Sequence, residues 1–160
     1  MTRALAALVL QFALALWLGG LVWLFATVSQ VFAIDRAVAI RVAPAFFNAF
    51  NRYQLVLGGI AVVAAVVMWR STRRRGWIIP VASAVTALIV VGVIFYVTSK
   101  LEGLREAGLS GGQTFRDMHG TSMVLYLTAT ALVTVALGAA SWITNRRKDD
   151  ISATRPDATE

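Results

Sequence analysis

The side chains best suited to chemistry lie in one short segment, which reads Phe-Arg-Asp-Met-His-Gly-Thr-Ser over residues 115–122. It holds the single histidine of a 160-residue chain that has no cysteine. Arg116 and His119 are three positions apart and therefore share one face of a helix, whose N-terminus would help to hold an anion. Asp117 and His119 are two positions apart and do not meet on that face. This spacing disfavours an Asp–His metal pair within the helix.

Each residue of the segment also has a structural interpretation. Thr114 and Asp117 resemble a capping box at the predicted start of the fourth helix, with Asp in place of the usual Glu or Gln. His119 can bond to a neighbouring helix, and Arg116 can extend to lipid headgroups. Ser122 lies three residues from His119 with no third partner set by spacing, so we predict no catalytic triad.

Two aromatic residues extend this candidate cluster. Tyr126 follows Ser122 by about one helical turn. Trp17 lies deep in the first apolar stretch, where its indole N–H needs an acceptor. We therefore predict a functional cluster of Arg116, His119, Ser122, Tyr126 and Trp17, with Trp17 facing protein rather than lipid.

The composition predicts the elements that position this cluster. Hydrophobic residues make up 58% of the chain and charged residues 14%, against about 45–50% and about 25% in soluble domains. Four stretches carry no charge, and a helix of about 20 apolar residues spans a bilayer. We predict an all-α membrane protein, an antiparallel four-helix transmembrane bundle over residues 1–148, with spans at about 4–34, 45–69, 77–99 and 115–144.

Local signals refine these boundaries. Pro44 suits the first turn of the second helix, where its missing N–H costs nothing, and Asn51 is then expected at the water boundary. Residues 149–160 are polar and are predicted to form a disordered tail.

Arginine and lysine set the predicted orientation. Eight of them lie at one end of the four spans and six at the other, and the Arg70–Arg75 loop is the densest group. Both termini are therefore predicted to be cytoplasmic. The protein is predicted to lie in the inner membrane of the cell. The inner basic residues are expected to bind anionic lipid headgroups rather than nucleic acid; they include Arg70, Arg73, Arg74, Arg75, Arg146, Arg147 and Lys148.

Small residues are the expected contacts between spans, because lipid gives apolar surfaces little reason to associate. The predicted packing positions are Gly19, Gly20, Gly58, Thr130, Thr134 and Gly138, and such a face could also form a homodimer. No Asp, Glu, Lys or Arg lies within the four uncharged stretches, and the charged residues of the predicted spans, Arg52, Arg116 and Asp117, lie towards their outer ends. Ion-coupled carriers and proton pumps keep such groups within the membrane, so the sequence disfavours a proton relay within one chain.

The chain resembles the transmembrane protein 205-like family, also known as domain of unknown function 4149. The resemblance rests on residues 15–23 (Ala-Leu-Trp-Leu-Gly-Gly-Leu-Val-Trp), on Pro44-Ala45-Phe46-Phe47, and on Phe115-Arg116-x-x-His119-Gly120-x-Ser122. It implies a four-helix membrane protein without established biochemistry, whose last motif opens the fourth helix. The first helix is also similar to copper-resistance D-type membrane proteins, which use several histidines where this chain has one.

Three functions stay open. The first is an accessory or scaffold membrane protein without enzymatic activity, because nothing in the chain demands catalysis. The alternative is a small-solute- or drug-handling protein, with Trp17, Trp23 and Tyr126 lining a cavity and Arg116 and His119 at its outer mouth. The third is metal or haem binding through His119 in an oligomer. We predict no cofactor for the single chain, because one histidine excludes bis-histidine haem.

Reporter fusions test the predicted orientation. A C-terminal fluorescent-protein fusion should fluoresce and a C-terminal alkaline phosphatase fusion should be inactive, because the densest arginine loop stays in the cytoplasm. Fusions truncated after Ser110, in the predicted outer connection, should give the opposite pattern. An active phosphatase at the C-terminus would overturn the topology.

Overall fold

Four long helices make up nearly all of the computed structural model, which describes residues 3–72 and 75–153 and, over 147–153, the backbone only. They are α1 (Arg3–Ile34), α2 (Arg36–Thr72), α3 (Ile78–Glu106) and α4 (Gln113–Ala153), with a 3-10 turn at Arg75–Trp77 before α3. Helix α1 packs on α2, α2 on α3, α3 on α4 and α4 on α1. The predicted all-α four-helix bundle is confirmed.

Each of the four helices contains a segment long and apolar enough to cross a membrane, so the chain is a multi-pass membrane protein. Helix α4 continues to Ala153, and it therefore includes the first residues of the predicted polar tail. Residues 154–160 of that tail lie outside the described residues.

The core follows from a repeat of apolar and small residues every three or four positions, which places them on one face of a helix. On α4 the fully buried positions are Tyr126, Ala129, Val133, Ala136 and Ala140. Three of these five residues are alanines, and alanine lets neighbouring helix backbones approach closely. The opposite faces are apolar and exposed, as surfaces in contact with lipid are.

The predicted packing glycines fall into two groups. A Cβ atom on Gly58 would lie 2.7 Å from Leu88 Cδ1 and 2.9 Å from Trp17 Cη2, and one on Gly20 would lie 2.7 Å from Phe50 Cε2. Both glycines therefore sit where large side chains of neighbouring helices press on the backbone. Gly19 and Gly138 are exposed, and a Cβ there would meet nothing within 4 Å.

Thr130 and Thr134 also differ from the predicted packing role. Each hydroxyl donates a hydrogen bond at 2.8 Å to a carbonyl one turn earlier in α4, that of Tyr126 and that of Thr130 respectively. Thr134 is exposed and Thr130 half-buried. The prediction that Gly19, Gly138 and Thr134 lie at contacts within the bundle was wrong. These positions face outward on α1 and α4, and alanines occupy much of the contact faces instead.

A single residue, Asp35, separates α1 from α2. Its Oδ1 accepts hydrogen bonds from the backbone N–H groups of Ala37 (2.8 Å) and Val38 (3.0 Å), which satisfies two of the free N–H groups at the helix start. Helix α2 therefore begins at Arg36, and Pro44 lies inside it. The predicted start at Pro44 was wrong, because the Asp35 cap starts the helix earlier.

The connection from α3 to α4 is closed by a glycine in the left-handed conformation. Gly108 has φ +72°, and its N–H donates to the carbonyl of Arg105 while the N–H of Leu109 donates to that of Leu104 (2.8 Å). These two bonds form a Schellman motif, which glycine favours because it has no Cβ. The motif ends α3 and turns the chain towards α4.

Replacement of Gly108 tests the requirement for this turn. Gly108→Ala should lower the free energy of unfolding by about 1 kcal/mol, because alanine is strained at positive φ. Gly103→Ala, in the interior of α3 with open space around it, should be neutral or stabilising by about 0.5 kcal/mol. Thermal unfolding in detergent, followed by circular dichroism, measures both. Equal destabilisation by the two variants would contradict the assignment.

Candidate functional site

A buried network of polar side chains joins all four helices at mid-bundle. Trp17 Nε1 on α1 donates to Gln54 Oε1 on α2 at 3.1 Å. Gln54 Nε2 donates to Asn51 Oδ1 at 3.3 Å, and the Tyr126 hydroxyl on α4 donates to the same oxygen at 2.6 Å. Asn51 Nδ2 donates to Thr98 Oγ1 on α3 at 3.4 Å. Asn51 is therefore the hub of the network.

The network leaves no buried polar atom unpaired: among the described residues, every buried side-chain nitrogen and oxygen has a hydrogen-bond partner. Trp17, Asn51 and Gln54 are each 0% exposed. The burial of Trp17 agrees with the prediction that it faces protein. The predicted position of Asn51 at the water boundary was wrong, because α2 starts earlier and carries Asn51 further into the bundle.

Next to this network lies a cavity of ≈900 Å³, which we call the end cavity. It lies at the end of the bundle that holds Asp35 and the α3–α4 connection, and all four helices line it. Thr98 belongs both to its wall and to the network. The network thus separates the end cavity from the packed core below.

Aromatic rings form the deep part of the end cavity. Phe25 and Phe47 both line it and both pack on Tyr126, with ring centroids 5.9 and 5.3 Å from the tyrosine ring. The Phe25–Tyr126 pair is edge to face, an arrangement that aromatic rings favour. Tyr126 is 1% exposed, so it fixes the two phenylalanines from beneath.

Seven polar or cationic residues also line the end cavity. They are Ser29, Arg36, Thr98, Arg105, Ser110, His119 and Ser122. None of the lining residues described for this cavity is an aspartate or a glutamate. The other lining residues are apolar, so the cavity is mainly apolar and also carries two cations and several polar groups.

One wall of the end cavity is a row of three planar side chains. The Arg105 guanidinium lies over the Phe115 ring, with Cζ 5.2 Å from the centroid, within the range of a cation–π contact. Phe115 in turn is parallel to the His119 ring, with centroids 6.2 Å apart. This row joins the end of α3 to the start of α4 and holds Arg105 and His119 at the cavity.

The structure does not bring Arg116 and His119 to a common site. The Arg116 guanidinium turns back to the connection before α4, where Nη1 donates to the Gly111 carbonyl at 2.8 Å and Nη2 to Gln113 Oε1 at 2.7 Å. Gln113 Nε2 also donates to Asp117 Oδ1 at 2.7 Å. The predicted pairing was wrong, because Arg116 satisfies backbone and side-chain acceptors at the helix start. Asp117 bonds to Gln113 in place of the predicted capping box with Thr114.

The other predicted cluster residues take three different positions. Ser122, 7% exposed, lines the end cavity, whereas Trp17 and Tyr126 lie beneath it in the polar network. Trp23 is 59% exposed on the outer face of α1, so the expectation that it lines a cavity was wrong. Sequence reasoning missed Arg36 and Arg105 as cavity residues, since only folding reveals that both face the same space.

The opposite end of the bundle carries the basic residues predicted to meet lipid. Arg70, Arg75 and Arg146 are exposed there, and Arg146 Cζ lies 4.5 Å from the Trp142 ring centroid. Arg73 and Arg74, with the side chains of Arg147 and Lys148, lie outside the described residues. A smaller cavity of ≈510 Å³ at this end is lined by one cationic residue, Arg3.

Metal-ligating groups are not clustered: no group of three or more His, Asp or Glu side chains suited to a metal ion occurs within residues 3–72 and 75–146.

Comparison with known proteins gives one match. A family model described as Domain of unknown function (DUF4149) matches residues 12–110, more than half of the chain, from early α1 to the connection before α4. The motif at 115–122 lies beyond the matched residues. No curated protein matches the chain, and no solved structure matches it.

Substitution of the hub residue tests the polar network. Asn51→Leu should lower the free energy of unfolding by about 2 kcal/mol, because Gln54, Tyr126 and Thr98 lose their shared partner in a buried site. Tyr126→Phe removes one bond and should cost about 0.6 kcal/mol. Asn145→Leu, at an exposed position of α4, is the matched control and should cost little. Unfolding titrations in mixed micelles measure all three, and equal effects at positions 51 and 145 would refute the role of the hub.

Proposed function

This chain belongs to the family described as Domain of unknown function (DUF4149), and we propose that it binds a small amphipathic molecule in its end cavity. The observation that carries this proposal is the cavity itself, which combines aromatic walls with converging polar groups. Its ≈900 Å³ lies within the range of about 300–1,000 Å³ that small-molecule sites occupy. Such a site orients a ligand through a few polar contacts and binds the rest of it through apolar area.

The cavity favours this function over the accessory or scaffold role that the sequence placed first. A scaffold needs no internal space, and in the membrane a packed bundle of apolar helices is sufficient for it. Here the helix ends surround a space that borders the polar network. The arrangement supports the alternative predicted from the sequence, with His119 and Ser122 kept at the site and Arg36 and Arg105 in place of Arg116.

We propose binding rather than catalysis. A nucleophile–histidine pair is oriented by a third, acidic group. Among the described residues that line the end cavity, no carboxylate is available to orient His119, whose ring instead packs parallel to Phe115. Hydroxyl groups such as that of Ser122 then act as hydrogen-bonding groups for a ligand.

The proposed orientation places the end cavity on the outer side of the inner membrane. The exposed Arg70, Arg75 and Arg146 lie at the opposite end of the bundle, and dense arginine at short loops favours the cytoplasmic side. There each arginine would contribute about 1 kcal/mol of attraction to anionic lipid headgroups. The binding site would then receive molecules from outside the cell or from the outer leaflet.

Photo-crosslinking in lipid nanodiscs tests the proposed function. Dodecanol and dodecanoic acid that carry a diazirine on the alkyl chain label side chains next to the bound chain. We expect at least one probe to label cavity residues such as Phe25, Phe47 or Met123. Ala43→Phe places a ring inside the cavity and should lower that labelling about tenfold, as the loss of most bound probe would. The label is located by mass spectrometry of peptides.

The matched control lies two residues away on the same helix. Ala45 is exposed and is not among the residues that line the end cavity, so Ala45→Phe should leave the labelling unchanged. Labelling by neither probe in the cavity, or an equal response of the two variants, would refute the proposed function.

A further inference from the structure

We infer that the ligand of the end cavity is an anionic amphiphile, with one carboxylate or phosphate head and an apolar chain. This inference rests on the proposed function and names the chemical class of the bound molecule. Its basis is the sign of the charge in the cavity lining and the presence of both cationic and apolar groups there.

The charge of the cavity lining is positive. Arg36 and Arg105 are cations at neutral pH, and the described lining contains no acidic residue. The two arginines come from different helices, α2 and α3, and converge on one space. Guanidinium groups match carboxylate and phosphate oxygens in geometry and form charge-assisted hydrogen bonds with them.

Four carboxylates lie at this end of the bundle, and none of them lines the end cavity. Asp35 Oδ1 accepts from the backbone at the start of α2, and Asp117 Oδ1 accepts from Gln113. Glu102, one turn before Arg105 on α3, accepts from Asn48 Nδ2 at 3.2 Å. Glu106 is exposed, and Glu102 interacts electrostatically with Arg105 from outside the lining. The residues that line the cavity therefore carry two positive charges and no negative one.

The position of Arg105 is fixed without an acidic partner in the cavity. Its guanidinium lies over Phe115, which is parallel to His119. A cation–π contact orients the guanidinium while its N–H donors at the edge stay available. His119 adds a further ring N–H donor at the same wall, and Ser110 and Ser122 add hydroxyls.

The apolar part of the lining gives the ligand its second property. Phe25, Phe47 and Met123 line the same space as the arginines, and a small inorganic anion would leave these side chains without contact. A single alkyl chain or ring system attached to the anionic head would bury against them and gain affinity from the apolar area. The cavity thus matches a molecule with both parts.

The acid and alcohol probes, equal in chain length, isolate the contribution of charge. We expect the diazirine-bearing dodecanoic acid to label the cavity about tenfold more strongly than the alcohol, the factor of one charge-assisted contact. Arg36→Gln combined with Arg105→Gln should reduce acid labelling to the level of the alcohol and leave alcohol labelling unchanged. Arg41→Gln combined with Arg52→Gln removes the same charge from exposed positions outside the lining and should change neither.

Unlabelled competitors identify the head group and its need for a chain. Dodecanoate or dodecyl phosphate should displace the acid probe, and the stronger of the two shows which head the site prefers. Displacement by inorganic phosphate at the same concentration would refute the requirement for an apolar chain. Equal labelling by alcohol and acid, unaffected by the arginine variants, would overturn the anionic ligand while the proposed function stands. The absence of cavity labelling by both probes would refute the proposed function itself.

Discussion

The hydrogen bonds around the Asn51 amide are the constraint on which the rest of the bundle depends. Within a bilayer, apolar surfaces gain little by leaving lipid, so association relies on close packing and on polar contacts between helices. Asn51 links α2 to Tyr126 on α4 and Thr98 on α3, and through Gln54 to Trp17 on α1. An amide with two donors and an acceptor oxygen is suited to such a junction. Because Gly58 lies against the Trp17 ring, packing and hydrogen bonding act at the same level of the bundle.

The same junction borders the end cavity. Below Asn51 the helices pack through alanines and larger apolar residues, whereas beyond it they surround the end cavity. Tyr126 belongs to both regions, since its hydroxyl bonds to Asn51 while its ring supports Phe25 and Phe47. A ligand in the cavity would rest on a rigid base, with its polar end among Arg36, Arg105 and His119. Preorganised groups of this kind lose less entropy when a ligand binds.

The sequence predicted what depends on composition and spacing. Four uncharged stretches indicated the bundle, and the indole of Trp17 in an apolar helix required a protein acceptor. It misplaced what depends on a single contact. Asp35 caps α2, so the helix starts earlier and Asn51 lies deeper in the bundle than predicted. Arg116 donates to the Gly111 carbonyl and therefore does not share a site with His119. Arg36 and Arg105 looked like ordinary charges at the ends of helices, because residues about 70 positions apart reveal a common cavity only when the helices are packed. Gly19 and Gly138 face outward and alanines occupy the helix contacts instead, since either residue type is small enough for close helix approach.

The most direct measurement of the account is a double-mutant cycle between Trp17→Phe and Tyr126→Phe, read as free energies of unfolding in mixed micelles. Within the described residues these two side chains share no direct hydrogen bond, and they are joined through Gln54 and Asn51. If the four helices are held by one connected network, the two substitutions will be non-additive by at least about 0.5 kcal/mol. Additivity within about 0.3 kcal/mol would show that each bond acts alone and would contradict the account.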